Sequence, residues 1–516
     1  MPKWFNTAGP CKADLHYMLP PVARLPQLTR LIDQQSYFIL HAPRQVGKTT
    51  TMMALAAELT ASGRYAAVLL SAEVGAVFPH DPGKAERAIL SEWRQSVRFR
   101  LPEDLRPPVW PQTEEGAVLG TALSTWAEQG SRPLVLFLDE IDALSDETLI
   151  SVLRQLRSGY ANRPHGFPHA LALIGMRDVR DYKLASGGSD RLHTASPFNI
   201  KVESFTLGNF SFDDVKNLYG QHTEATGQIF TPEALARAWH LTDGQPWLVN
   251  ALARQATEFL VTDVSQPITA ATFDEAKEIL IRRQDTHLDS LAERLREPRV
   301  KALIEPILAG GDLPDVPDDD RRFVLDMGLV KRSPLGGWVI ANPVYQEVIP
   351  RVLAQSAQDT LPLIQPAWLR ADGSLNADVL LESFLDFWCQ HGEPLFRSTP
   401  YPEIAPHLVL MAFLHRVVNG GGTLEREYAI GSGRMDLCLR YGGVTLGMEL
   451  KVWRDGQADP LKQGLAQLDS YLAGLGLDNG WLVIFDRRSG QVPVAERTGA
   501  EPATSPAGRM ITVIRG

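Results

Sequence analysis

Two periodicities divide this chain. Continuous apolar runs at residues 37–40, 64–71, 133–138 and 170–175 have no polar face, which predicts strands buried on both sides in a parallel sheet. Between them, apolar positions recur at helical spacing over residues 49–63, 84–100, 115–129 and 146–159. Strand and helix in alternation predict an α/β fold with helices on both faces of the sheet. From residue 204 the helical period takes over, and Ser211-Phe-Asp-Asp, Thr231-Pro-Glu and Gly244-Gln-Pro-Trp each read as a helix start. Period two returns at residues 435–441 and 444–452, which flank Gly442-Gly443 and predict a hairpin with a two-residue turn. In that register Tyr441 pairs with Val444 and Asp436 falls opposite Glu449. Lys451 shares their face, while Met435, Leu437, Leu439, Leu446, Met448 and Leu450 line the other.

Breaks in these patterns predict six segments: a lead-in at 1–36, a strand and helix core at 37–203, a helical segment at 204–284, a winged-helix-like region at 285–350, a linker at 351–375 and a second α/β domain at 376–516. The lead-in carries Pro20-Pro21 and one amphipathic helix over 22–34. The winged-helix-like region is not basic, so packing against the core is favoured over reading DNA.

The turn after the first strand reads Ala42-Pro43-Arg44-Gln45-Val46-Gly47-Lys48-Thr49-Thr50. It matches G-x-x-x-x-G-K-[ST] except that Ala42 replaces the first glycine, and it lies between a strand and a helix as a phosphate-binding loop must. The loop from Pro43 to Thr50, through its successive backbone N–H groups from Arg44 onward, and the positive end of the helix would cradle the β- and γ-phosphates of ATP; Lys48 would neutralise charge and Thr49 would hold Mg²⁺. Alanine fits position 42 if φ stays negative, whereas the close approach at Gly47 admits no Cβ. The strand over 133–138 runs into Asp139-Glu140-Ile141-Asp142. Asp139 there suits Mg²⁺ through water, and Glu140 suits polarisation of the water that attacks the γ-phosphate.

The hairpin offers a second site. Carboxylates directly opposite on neighbouring strands have Cβ atoms about 5 Å apart and repel. A divalent cation held by Asp436 and Glu449 would offset that; Mg²⁺, or Mn²⁺ in its place, takes carboxylates, water and substrate phosphate. Lys451 on the same face could stabilise developing charge.

Asp436 and Glu449-x-Lys451, followed by Gln467-Leu-Asp-Ser-Tyr471, resemble the PD-(D/E)XK nuclease core and its Q-x-x-x-Y helix. The resemblance implies a restriction-endonuclease-like fold in which Asp436, Glu449, Lys451 and Gln467 are catalytic, with a further acid at Glu403 or Glu427. The whole chain resembles bacterial AAA/STAND-like P-loop ATPases fused to such a domain. That implies a helical lid at 204–284 whose Gly244-Gln245-Pro246 segment lies over the nucleotide. It also implies a γ-phosphate sensor at Arg177 or Asp178, and an arginine finger sought among Arg44, Arg180 and Arg191. The expected activity is ATP hydrolysis that controls cleavage of nucleic acid, DNA first. The alternative is an ATPase switch or scaffold whose nuclease-like domain only binds nucleic acid or a partner; a homo-oligomer is compatible with both.

Composition narrows the setting. Of 516 residues 44% are hydrophobic and 22% charged, the balance of a folded multidomain chain. Three cysteines without a C-x-x-C pair argue against a disulfide frame or structural zinc, and no apolar leader or membrane span is apparent, so a cytoplasmic protein is expected. The net charge of −10 disfavours non-specific nucleic-acid binding over the whole surface. Residues 370–516 hold 14 Lys and Arg against 17 Asp and Glu, so phosphate attraction there would need a local cluster such as Arg434, Lys451, Arg454 and Lys462.

Overall fold

The computed structural model describes residues 3–176, 200, 203–283, 294–309, 316–333, 336–360, 368–398, 405–418, 422–430 and 433–516. The chain divides into two compact units, Met1–Leu280 with Pro317–Lys331, and Ile281–Val316 with Arg332–Gly516. Among the described residues no helix is long and apolar enough to cross a membrane.

The first unit is built on strands β1 (Tyr37–His41), β2 (Ala66–Ser71), β3 (Leu134–Asp139), β4 (Ala170–Gly175) and β5 (Glu203–Thr206). Their order is β2-β3-β4-β1-β5 and every neighbouring pair is parallel. β3 explains why these strands are apolar throughout. Leu136 and Leu138 enter a core with Trp93 and Trp126, and Val135 and Phe137 enter the opposite one with Phe38 and Met52. Because the strands run the same way, the loops after β1 and β3 emerge at one edge of the sheet, where ligands of open α/β sheets bind.

Helices α1 (Gln27–Asp33), α2 (Lys48–Ala61), α3 (Pro82–Arg100), α4 (Val118–Gln129) and α5 (Asp146–Gly159) belong to this sheet. The single helix expected over 22–34 is two pieces, a 3₁₀ turn at Pro21–Arg24 and then α1, with Pro26 at the N-cap of α1. Proline has no N–H for a continuous ladder, so the helix breaks there. The helix expected from residue 115 starts at Val118, because Gly116 ahead of it has φ +85°. Helices α6 (Phe212–Thr226), α7 (Pro232–Thr242) and α8 (Pro246–Arg254) follow. Ser211 and Asp214 form a reciprocal capping box for α6, Thr231 caps α7 and Gln245 caps α8. The helix Asp318–Asp326 also belongs to this unit, and the unit boundary falls within β6 (Val330–Arg332), ahead of β7 (Trp338–Ile340).

The second unit carries strands β8 (Thr423–Ile430), β9 (Gly433–Tyr441), β10 (Val444–Trp453), β11 (Asn479–Asp486), β12 (Gly499–Thr504) and β13 (Met510–Arg515). They form one mixed sheet in the order β12-β13-β11-β10-β9-β8. β9 and β10 pair antiparallel from Tyr441 with Val444 to Leu437 with Met448, while β10 and β11 run parallel. Gly442 (φ +52°) and Gly443 (φ +81°) supply the positive dihedrals that a tight two-residue hairpin turn requires. Cys438 on one face packs with Leu468 and Leu472 of the helix Leu461–Leu475 and with Leu482 and Ile484 of β11.

Candidate functional site

The phosphate loop joins β1 to α2. Lys48, the first residue of α2, folds its Nζ back to donate to the carbonyls of Ala42 (2.7 Å) and Pro43 (2.8 Å). Burial pulls the Lys48 ammonium down to about 8, opposed by the nearby charges of Asp142 and Asp139. Gly47 has φ +95°, which favours glycine, and a Cβ there would stand a tight 3.3 Å from the Arg24 guanidinium. Gln45 takes φ +61° without being glycine, a strained conformation at the loop's apex. Ala42 is buried, its N–H bonds the Gly175 carbonyl at 3.3 Å, and it is not among the described residues with positive φ. Pro43 is half-buried, Arg44 and Gln45 are exposed, and the Val46 side chain enters the core. The amide of Cys11 in the lead-in donates to Thr50 Oγ1 at 3.1 Å.

Asp139 ends β3 beside this loop. Thr49 Oγ1 donates to Asp139 Oδ2 at 2.8 Å, and the Glu140 amide donates to Asp139 Oδ1 at 3.0 Å. Burial raises the Asp139 carboxyl and the Thr49 bond opposes it. A hydroxyl and a buried carboxylate in contact are the hard oxygen donors that Mg²⁺ takes, so the residues present fit that ion. Glu140 turns into the left-handed region (φ +56°) directly after the strand. Burial of its carboxyl, then its hydrogen bond and charge repulsion with Glu73, push it up to about 7.

Three contributions here escaped the sequence reading. Asp142 accepts the Met176 amide at 3.3 Å and is the strongest charge partner of Lys48. Glu73, after β2, meets Glu140 because β2 and β3 are neighbours in register from Ala66 with Leu134 to Ser71 with Asp139. Arg24 donates to the Val46 carbonyl at 2.9 Å. The acid spacing of Asp139 and Asp142 was a signal for the first; the other two depend on contacts between distant segments and left none.

Around the loop, the lead-in also ties to the helices after β5. Trp247 Nε1 donates to the Thr7 carbonyl (2.9 Å), Arg254 to Thr7 Oγ1 (2.9 Å), and Gln221 exchanges bonds with the Met18 backbone (3.2 and 3.0 Å). Pro246 is buried as the first residue of α8, where Gln245 Nε2 and Asn250 Oδ1 are buried without a hydrogen-bond partner. Gly328 abuts the loop itself, since a Cβ there would lie 2.7 Å from Pro43. Arg177, Asp178, Arg180, Arg191 and Glu403 lie outside the described residues.

The hairpin of the second unit brings Asp436 and Glu449 together. The Leu450 amide donates to Asp436 Oδ2 at 2.7 Å, and Lys451 Nζ donates to Glu449 Oε1 at 2.8 Å. Glu449 is 3% exposed and its Oε2 has no hydrogen-bond partner. Burial first, then the neighbouring Asp436 charge, push the Glu449 carboxyl up to about 7, against the pull of Lys451. Gln467, on the helix Leu461–Leu475, is half-buried with Oε1 likewise unpartnered. The orphaned carboxylate oxygen fits a hard cation. Among the described residues no group of three or more His, Cys, Asp or Glu is arranged to hold a metal. Glu427 lies on β8, and its side chain and that of Arg434 fall outside the described residues.

Residues 38–174 match the model of the ATPase family associated with various cellular activities (AAA). No curated protein matches the chain in sequence. Among solved structures it is similar to a Walker-type ATPase of Pyrococcus abyssi, at 13% identity and TM-score 0.45, covering 66% of this chain and 98% of that one. It is also similar to the RuvB Holliday junction branch migration motor of Thermotoga maritima, at 15% identity and TM-score 0.34 over 63% and 91% of the two chains. Cdc6p from Pyrobaculum aerophilum gives 14% identity and TM-score 0.37 over 68% and 97%.

Proposed function

We propose that the chain binds and hydrolyses ATP through residues 38–174, the stretch that matches the AAA model, and that its nucleotide state controls a metal-dependent nuclease domain at 376–516. The observation that carries the first half is the bond from Thr49 to Asp139, 2.8 Å long across 90 positions of sequence, which sets a phosphate loop and an acid-ended strand around one point. In this reading the loop from Pro43 to Thr50 binds the phosphates through its backbone N–H groups, which begin at Arg44, and Lys48 exchanges its carbonyl partners for phosphate oxygens. Thr49 and Asp139 hold Mg²⁺, which when bound shields the phosphate charge. Glu140 accepts the proton of the attacking water, a role that suits a carboxyl lifted towards neutrality. Arg177 senses the γ-phosphate and Pro246 closes the lid over the nucleotide, both by resemblance to STAND-like ATPases.

The second half is supported by the buried pair Asp436 and Glu449 and the unpartnered Glu449 Oε2. The two carboxylates would hold Mg²⁺ or Mn²⁺, which when bound lowers the pKa of a coordinated water. Lys451 would steady the developing charge on the cleaved phosphodiester, and Gln467 would orient the strand. The substrate is nucleic acid, with DNA tested first.

Purified full-length protein tests both halves. Lys48→Ala should lose ATP binding, and Glu140→Gln should keep binding while kcat falls by about 10² to 10⁴. Cleavage of single- and double-stranded DNA and RNA, with Mg²⁺ or Mn²⁺ and with or without ATP, should vanish in Asp436→Ala and lose its ATP response in Lys48→Ala. Undiminished cleavage by Asp436→Ala would remove the nuclease; an unchanged ATP response in Lys48→Ala would remove the coupling.

A further inference from the structure

Arg24 joins three segments that are remote in sequence. It closes the 3₁₀ turn Pro21–Arg24; Nη1 donates to the Val46 carbonyl in the phosphate loop at 2.9 Å, and Nη2 donates to the Gly208 carbonyl just after β5. Its guanidinium carbon stands 4.8 Å from the centre of the Phe210 ring. Phe210 is locked in turn to the residue before the α8 cap. Its N–H donates to the Gly244 carbonyl at 2.8 Å, and a Cβ on Gly244 would lie 1.9 Å from the Phe210 oxygen. One unbroken path of contacts therefore runs from the phosphate loop, through a single side chain, to the start of α8.

The peptide unit between Val46 and Gly47 is planar and trans, so its carbonyl and its N–H point in opposite directions. A guanidinium that holds the Val46 oxygen thereby aims the Gly47 N–H the other way. In a phosphate loop the amides must all point at the anion, and a free peptide would be able to flip. A Cβ on Gly47 would stand 3.3 Å from Nη1, a tight contact with the group that holds the Val46 oxygen. The same planar fork holds Gly208 with its second nitrogen, which a lysine, as a single point charge, cannot reproduce.

We propose that Arg24 is a positioning residue for the bound nucleoside triphosphate, fixing the Gly47 amide for phosphate and passing the loop's occupancy to the segment at 208–210 and on to α8. This rests on ATP binding at the phosphate loop.

The test uses the full-length chain as wild type, Arg24→Met, Arg24→Lys and Lys48→Ala, with a non-hydrolysable ATP analogue and Mg²⁺. Binding is titrated, and backbone hydrogen exchange is followed at saturating analogue. Arg24→Met should raise the Kd about tenfold, the loss of one charge-assisted hydrogen bond. Once saturated, it should still leave peptides covering 205–215 and 244–254 without the protection that wild type gains. Arg24→Lys should recover affinity but not that protection, a split that general loss of stability does not produce. If Arg24→Met does not fold, Arg24→Lys carries the test alone. Both variants binding and protecting as wild type does would overturn the role of Arg24 by itself. A wild type that binds no better than Lys48→Ala would overturn the ATP reading, and this role with it.

Discussion

Glu449 carries the sharpest single-residue consequence. Its carboxyl lies at about 7 in the folded chain against an ordinary 4.5, through burial and the neighbouring Asp436. Between those values the folded chain holds a proton that the unfolded chain has released, so stability falls as pH rises across that window. With metal chelated, Glu449→Gln should therefore match wild type near pH 4.5 and gain on it steadily towards pH 7.5, read as the difference in denaturation midpoint. A difference that stays flat with pH would show that this carboxyl is not desolvated as the burial implies. The placement of Asp436 beside Glu449 was legible beforehand, since a Gly-Gly turn sets the register and period two does the rest. The depth of burial was not, because it depends on the helix Leu461–Leu475 closing over Cys438 and its neighbours.

At the scale of elements, the helix starts were readable from their caps, and α6, α7 and α8 all begin where Ser211, Thr231 and Gln245 sit. What the caps did not reveal is how tightly α8 is tethered. Gly244 combines φ +69° with a Cβ position 1.9 Å from the Phe210 oxygen, whereas Gly227, with φ +82°, has nothing within 4 Å. Gly244→Ala should cost about 2 to 4 kcal/mol, strain plus overpacking, and Gly227→Ala about 1 kcal/mol from strain alone. Chemical denaturation of the two variants side by side checks this; equal costs would mean the Phe210 contact yields freely. The lead-in is the opposite case, since the apolar spacing over 22–34 looked continuous while Pro26 interrupts it.

For the whole molecule, each proposed ligand has a thermodynamic signature. A ligand that binds only the native chain stabilises it by RT ln(1 + [L]/Kd), about 2.7 kcal/mol at a hundredfold excess over Kd. Calorimetry of the full-length chain should show unfolding raised by ATP with Mg²⁺ in wild type but not in Lys48→Ala, and raised by Mn²⁺ alone in wild type but not in Asp436→Ala. An ATP response kept in Lys48→Ala, or an Mn²⁺ response kept in Asp436→Ala, would place that ligand elsewhere on the chain.

The local sequence determined the strands, the helix caps, the phosphate loop and the hairpin register. Each of these depends on residues within a few positions of one another, where periodicity, turn dihedrals and backbone capping act directly. The tertiary structure alone decided that Thr49 meets Asp139, that Asp142 holds the Met176 amide, that Cys11 reaches Thr50 and that Arg24 holds the Val46 and Gly208 carbonyls at once. Those contacts join segments that only the folded chain brings together, and a side chain recruited by a distant carbonyl leaves no pattern in the residues beside it.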